Sequence, residues 1–199
     1  MQKIKRLSAL LLSLLTALAL TACGGTAART GFDALSAKMQ NASALSFEAR
    51  IRAEYDDSTA EFTLAYAEKD GESTVTVISP DIIRGVSAHV KSGETALEYD
   101  GVMLDTGSLD SFGLSPMSAL PLLTPTLRTG YLDSAWDDGE MRCAMLVPSD
   151  GVSVEVHMDK YTDTPLTAEI SSDGRVRVFA EITGWTLTDG AAEEKSTEE

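Results

Sequence analysis

Histidine and cysteine are scarce in this 199-residue chain, two of each, and the scarcity excludes several chemistries. No H-E-x-x-H pattern, G-x-S-x-G elbow or Walker A loop occurs. His157 lies in VSVEVHMD on the polar parity of a strand, with Ser153, Glu155 and Asp159; His89 lies in SAHVK. Both read as solvated strand residues rather than catalytic bases. Cys143 alternates with Met141 and Met145 and reads as a small buried hydrophobe. Basic residues are also few, 16 Lys and Arg against 31 Asp and Glu. So acidic a surface argues against nucleic acid and against broad adhesion to anionic lipid.

The carboxylates themselves suggest no enzyme. Asp56-Asp57, Asp137-Asp138 and the pair Asp105 and Asp110 are the densest groups, and none matches the 12-residue calcium loop. A glycosidase needs two carboxylates facing each other across a cleft, an arrangement that a sequence alone does not show. Neither a metal nor a cofactor is expected.

The most specific signal is at the start. Lys3, Lys5 and Arg6 precede an uncharged run from Leu7 to Leu20. That run is shorter than the roughly 20 apolar residues of a membrane-spanning helix, and it has the form of a signal-peptide core. It ends in Leu20-Thr21-Ala22-Cys23, which resembles the lipobox of bacterial lipoproteins. The resemblance implies a diacylglyceryl group on the Cys23 sulfur, with Cys23 as the mature N-terminus. Two acyl chains hold a domain at a membrane where one does so only marginally. The expected place is therefore the extracytoplasmic side of a bacterial cell membrane, lipid-anchored. With Cys23 acylated, Cys143 has no partner and no internal disulfide is expected. The segment before Cys23 carries three of the basic residues and none of the acidic ones, which leaves −18 on the remainder.

Beyond Cys23, residues 23–30 read as the anchor and a short tether, with Gly24-Gly25-Thr26-Ala27-Ala28 as its flexible part. Residues 31–188 form one domain, and 189–199 an acidic tail without large apolar residues, expected to be disordered. In Gly31 to Ala42, the spacing of Phe32, Leu35 and Met39 predicts a short amphipathic helix. The period then changes to two: Leu45, Phe47, Ala49, Ile51, Ala53 and Tyr55 alternate with Ser46, Glu48, Arg50, Arg52 and Glu54. That is a half-buried antiparallel strand. Asp-Gly pairs at 70, 100, 138, 150 and 173 punctuate a meander of further strands. Ser115 followed by Pro116 starts a helical interruption, and Pro121 and Pro125 predict that it is short and kinked or split into two turns.

These elements predict a mainly β (α+β) fold: a curved antiparallel sheet forming an unclosed β-barrel, lidded by short helices. The order of the helix, the strand pair at Leu45 to Lys69, VISPDIIRGVSA, ETALEYDGVML, SPMSALPLL and the closing hairpins resembles the LolA-like, LolB-like and LppX-like lipoprotein carriers. The resemblance spans roughly Gly31 to Thr188. It implies a hydrophobic cavity that accepts acyl chains of lipids or lipoproteins, with no cofactor. The candidate lining is Phe47, Ile51, Phe62, Leu64, Tyr66, Val75 and Val77 from the strands, with Leu122 and Leu123 from the lid; each could equally be plain core. An alternative is a protein-interaction module that partners an envelope or cell-wall enzyme, as lipoproteins of this kind do in spore germination.

Overall fold

A computed structural model describes residues 24–108 and 114–190. The signal segment, Cys23 and the acidic tail from residue 191 lie outside the described residues. The first helix, α1, runs Gly24–Asn41, so it starts well before Gly31 and takes in the stretch read as a tether. The reason is packing. Ala28 continues the Phe32, Leu35 and Met39 stripe one turn backwards, and all four are buried. A stripe with somewhere to pack overrides the weak helix propensity of Gly24 and Gly25.

Six strands follow as consecutive hairpins: β1 (Ala42–Glu54), β2 (Thr59–Lys69), β3 (Glu72–Ser79), β4 (Ser87–Lys91), β5 (Glu94–Tyr99) and β6 (Val102–Ser108). A single 3-10 turn, Asp81–Ile83, separates β3 from β4. The second helix, α2 (Pro116–Thr129), then leads to β7 (Tyr131–Asp138), β8 (Met141–Ser149), β9 (Val152–Asp159), β10 (Pro165–Ser172) and β11 (Arg175–Asp189). All eleven strands lie in one sheet, in the order β6-β5-β4-β3-β2-β1-β11-β10-β9-β8-β7. Every recorded pairing is antiparallel. The sheet does not close: β6 and β7 are its two edges, and α2 connects one edge strand to the other.

The expected alternation is present in β1, where Leu45, Phe47, Ala49, Ile51 and Ala53 are buried and the residues between them exposed. Asp-Gly turns supply the left-handed backbone that tight hairpins need. At Asp100-Gly101 both residues have positive φ, 51° and 76°, the signature of a type I′ turn. The inner residues of every strand except β6 contribute to one core with Phe32, Leu35 and Met39 of α1 and Leu120, Leu123 and Leu127 of α2.

α2 is one fourteen-residue helix despite Pro121 and Pro125, longer than the short or split segment its prolines predict. Its start is well secured. Ser118 N–H donates to Ser115 Oγ (3.2 Å), and Ser115 N–H donates to Ser118 Oγ (2.8 Å), a reciprocal cap. Pro116 sits at the first turn, where its missing N–H costs nothing. Burial of Leu120, Leu123 and Leu127 then outweighs two lost backbone hydrogen bonds. At the far end Gly130 N–H donates to Thr126 O at 2.8 Å, an approach that a Cβ on Gly130 would obstruct.

Candidate functional site

Cross-strand register brings the candidate cavity residues together. Phe47 faces Tyr66, Ile51 faces Phe62, Leu64 faces Val77 and Tyr66 faces Val75. Phe47 stacks between two rings, Tyr66 and Trp185, with centroids 4.9 Å away on each side. Leu123 of α2 belongs to the same core. All but Phe62 and Leu122 are fully buried. Phe47, Ile51, Leu64, Tyr66, Val75 and Val77 therefore sit on the inner face as packed core, with Leu123 buried on α2 and Phe62 and Leu122 half-buried at its margin. The accessible apolar surface lies farther along the same face.

The helices cover the sheet unequally. α1 packs on β7 and β8, and α2 on β1, β3 and β8. The inner residues of β5 and β6 continue the apolar face past this cover. Leu97 is opposite Leu104 and Tyr99 opposite Val102, and with Val86 they line a groove of about 440 Å³. That size falls within the roughly 300–1,000 Å³ typical of small-molecule sites. Tyr99, Val102 and Leu104 are 55%, 71% and 63% exposed, so this is unpartnered apolar surface. Asp100 is the charged group at its rim, while the Glu98 side chain lies on the opposite face of β5 against His89. A smaller depression of about 310 Å³, at the Leu45, Glu68 and Thr188 end, mixes apolar groups with Ser46, Lys69 and Glu72 and has no such character.

The groove was open to sequence reasoning through one signal. Val102, Met103 and Leu104 are three consecutive apolar residues where a half-buried strand should alternate. On an edge strand such a run puts apolar side chains on both faces.

A polar cluster holds the helical cover in place. Tyr66 Oη lies 2.8 Å from both Thr124 Oγ1 on α2 and Glu68 on β2. Burial foremost, with the Glu68 charge beside it, pushes the Tyr66 phenol far above its ordinary range, so it stays protonated. Glu68 pairs with Arg128 at 2.7 Å, and Arg128 Nε donates to Met39 O at 3.2 Å. Ser36 Oγ and Gln40 Nε2 of α1 donate to Arg128 O at 2.6 and 2.8 Å. One residue thus ties β2, α1 and α2 together.

Both histidines and several of the loop carboxylates have structural partners. His89 lies between Glu98 (2.9 Å) and Thr74 (3.2 Å), and His157 beside Glu155 (2.8 Å). Cys143 is buried, and its thiol is pushed up chiefly by burial, the opposite of nucleophile activation. Asp56 pairs with Arg177, and Asp137 with Lys160 and Arg142. Asp105 accepts a hydrogen bond from Gly107 N–H at 2.9 Å, and Asp110 lies outside the described residues. Among the described residues no three His, Cys, Asp or Glu side chains gather as metal ligands would. No helix among them is long and apolar enough to cross a membrane.

Among solved structures, the fold is similar to an uncharacterised conserved protein of Thermus thermophilus, at 14% identity and TM-score 0.48, covering 84% of this chain and 92% of that one. It is also similar to a LolA superfamily protein of Nitrosomonas europaea: 13% identity, TM-score 0.46, coverage 81% and 94%. A third similar structure is the complex of the CwlD amidase with the GerS lipoprotein from Clostridioides difficile, at 14% identity and TM-score 0.41, covering 78% and 92%. At such identities the likeness is one of fold. No protein-family model matches the chain, and no curated protein matches its sequence.

Proposed function

We propose that this chain is a non-enzymatic, extracytoplasmic binding module, anchored through lipidated Cys23, which shelters acyl chains of a lipid or lipoprotein in the uncovered end of its half-barrel. One observation carries the reading: the inner face of the sheet remains apolar beyond its helical cover, at Val86, Leu97, Tyr99, Val102 and Leu104. Each methylene buried there would contribute about 0.8 kcal/mol, so affinity needs no charged contact. Asp100 at the rim disfavours a free carboxylate head group and favours a neutral one, such as a diacylglyceryl group. The core residues Phe47, Ile51, Leu64, Tyr66, Val75, Val77 and Leu123 then shape the floor behind the groove rather than touch the ligand.

Native mass spectrometry after incubation with a neutral diacylglycerol tests this. A bound mass is expected for the unaltered chain and its loss in Leu104→Asp, an exposed position whose substitution leaves the core intact. Retention of the lipid by a folded Leu104→Asp chain would falsify the groove assignment.

A second reading is supported by the exposed strand β6. An unpaired edge with apolar side chains on both faces is also the surface of a protein-interaction module, whose partner would be an envelope or cell-wall protein.

A further inference from the structure

The two edges of the sheet are defended unequally. Strand β7 carries Asp133, Asp137 and Asp138 and lies under α1; charge and cover are the usual protections of an edge. Strand β6 begins with Val102, Met103 and Leu104, each more than 60% exposed. The two-residue Asp100-Gly101 turn makes Tyr99 and Val102 a hydrogen-bonded pair. By the alternation of an antiparallel ladder, Met103 then turns its N–H and C=O away from β5.

The free edge is short. The register shifts between Thr95 and Ala96, which face Gly107 and Asp105 and leave Thr106 as the extra residue. Thr106 Oγ1 donates to Thr95 O at 2.9 Å, and Gly107 has φ 78°. This bulge bends the strand, so the straight edge is Val102–Asp105.

Charge selects the occupant. Glu94, Asp100 and Asp105 are exposed on this wing, whereas Lys91 and Arg84 are engaged by Glu72 and Asp81. A second copy would bring the same acidic rim and the same net charge of −15, and an anionic bilayer would also be repelled. Resting on the interaction-module reading, we propose that Val102–Asp105 is a docking edge to which a partner protein adds an extended strand, apolar at its centre and flanked by Lys or Arg. Backbone hydrogen bonds would supply the pairing and the acidic rim the selectivity.

Fluorescence anisotropy of the full chain with a labelled Lys-Val-Thr-Val-Thr-Val-Lys peptide tests the proposal, with a Glu-flanked peptide as control. Binding of the Lys-flanked peptide is expected, at least tenfold tighter than the control and weakened by salt. Met103→Pro removes the outward N–H at a place where an edge strand tolerates proline, and should weaken binding at least tenfold without moving the unfolding midpoint. Should that variant unfold, alternate N-methylation of the peptide makes the same test on the unaltered chain, and loss of binding is again expected. Unchanged binding in either form, or equal binding of the two peptides, overturns the proposal. So does self-association of the chain that Met103→Pro abolishes, since the occupant is then a second copy. A partner protein bound equally by the chain and by a folded Met103→Pro keeps the interaction-module reading and sinks this edge alone.

Discussion

The guanidinium of Arg142 on β8 occupies the space where a side chain at position 31 of α1 would stand. Arg142 is held there by Asp137 and Asp163, with only 11% of its side chain exposed. Helix and sheet therefore meet at this point through a residue without a side chain and one whose charge is already neutralised.

This contact reverses the usual sign of a helix substitution. Gly→Ala inside a helix ordinarily stabilises by roughly 0.5–1 kcal/mol. Gly31→Ala should instead destabilise, by about 1–3 kcal/mol, the usual cost of overpacking. A chemical-denaturation midpoint that falls at constant m-value checks it. In the double variant with Arg142→Met the loss should shrink, because the two sites are coupled. A rise in stability for Gly31→Ala alone would show that α1 does not rest on Arg142.

The Glu68–Arg128 pair is 17% and 25% exposed, so removing one partner leaves the other poorly solvated. Glu68→Gln should cost about 2–4 kcal/mol, somewhat less than a fully buried pair. The location of the effect is the sharper prediction. Hydrogen exchange should quicken along α1 and the end of α2, which Arg128 joins, before it quickens in β9 and β10.

Acid should weaken the fold where its partners hold a carboxylate ionised. The carboxyl of Asp137 is held below its usual range, first by the Lys160 hydrogen bond and then by the charges of Lys160 and Arg142. Asp159 is lowered by N–H donors of Thr162 and Tyr161 and by the Thr162 hydroxyl. Groups with a depressed folded pKa stabilise above their unfolded value, near 3.9 for Asp, and lose that contribution as pH falls through the folded value. Melting temperature should therefore be flat above about pH 5 and drop below about pH 4. Asp137→Asn should flatten the drop; an unchanged slope would assign it elsewhere.

Alkali should act through Tyr66. Its folded pKa is raised by burial, so its contribution is complete below the unfolded value near 10 and is lost as pH rises beyond it. In Tyr66→Phe this part of the alkaline slope should disappear. At neutral pH the same variant should be weaker by about 1–2 kcal/mol, because Thr124 loses its Tyr66 partner in the core.

Much of this architecture is legible in the sequence. Alternation from Leu45 to Ala53 marks β1, and Asp-Gly pairs mark the turns, because period-two burial and positive φ leave local traces. The early start of α1 is illegible, since Gly24 and Gly25 are poor helix formers and only burial of Ala28 supports them. The prolines of α2 mislead for the same reason: the core contacts of Leu120, Leu123 and Leu127 are tertiary. Alternation shows which residues face inward but not where the helices end their cover. The residues read as cavity lining or plain core, among them Phe47, Tyr66 and Val77, are buried, and the open groove lies at Leu97, Tyr99, Val102 and Leu104. Nothing local in either segment announces that Gly31 and Arg142 meet.

The pairing of β1 with β11 has a consequence for how the chain is made. The first strand to emerge from synthesis or export stands in the middle of the finished sheet, and its second neighbour is the last strand to arrive. Until residues 175–189 appear, β1 presents an open edge, and the halves β1–β6 and β7–β10 have no shared ladder. Such long-range closure is slow and leaves apolar edges exposed while it waits. The period between the first hairpin and the last is thus when this protein most needs a chaperone, and a truncation before Arg175 would make that period permanent.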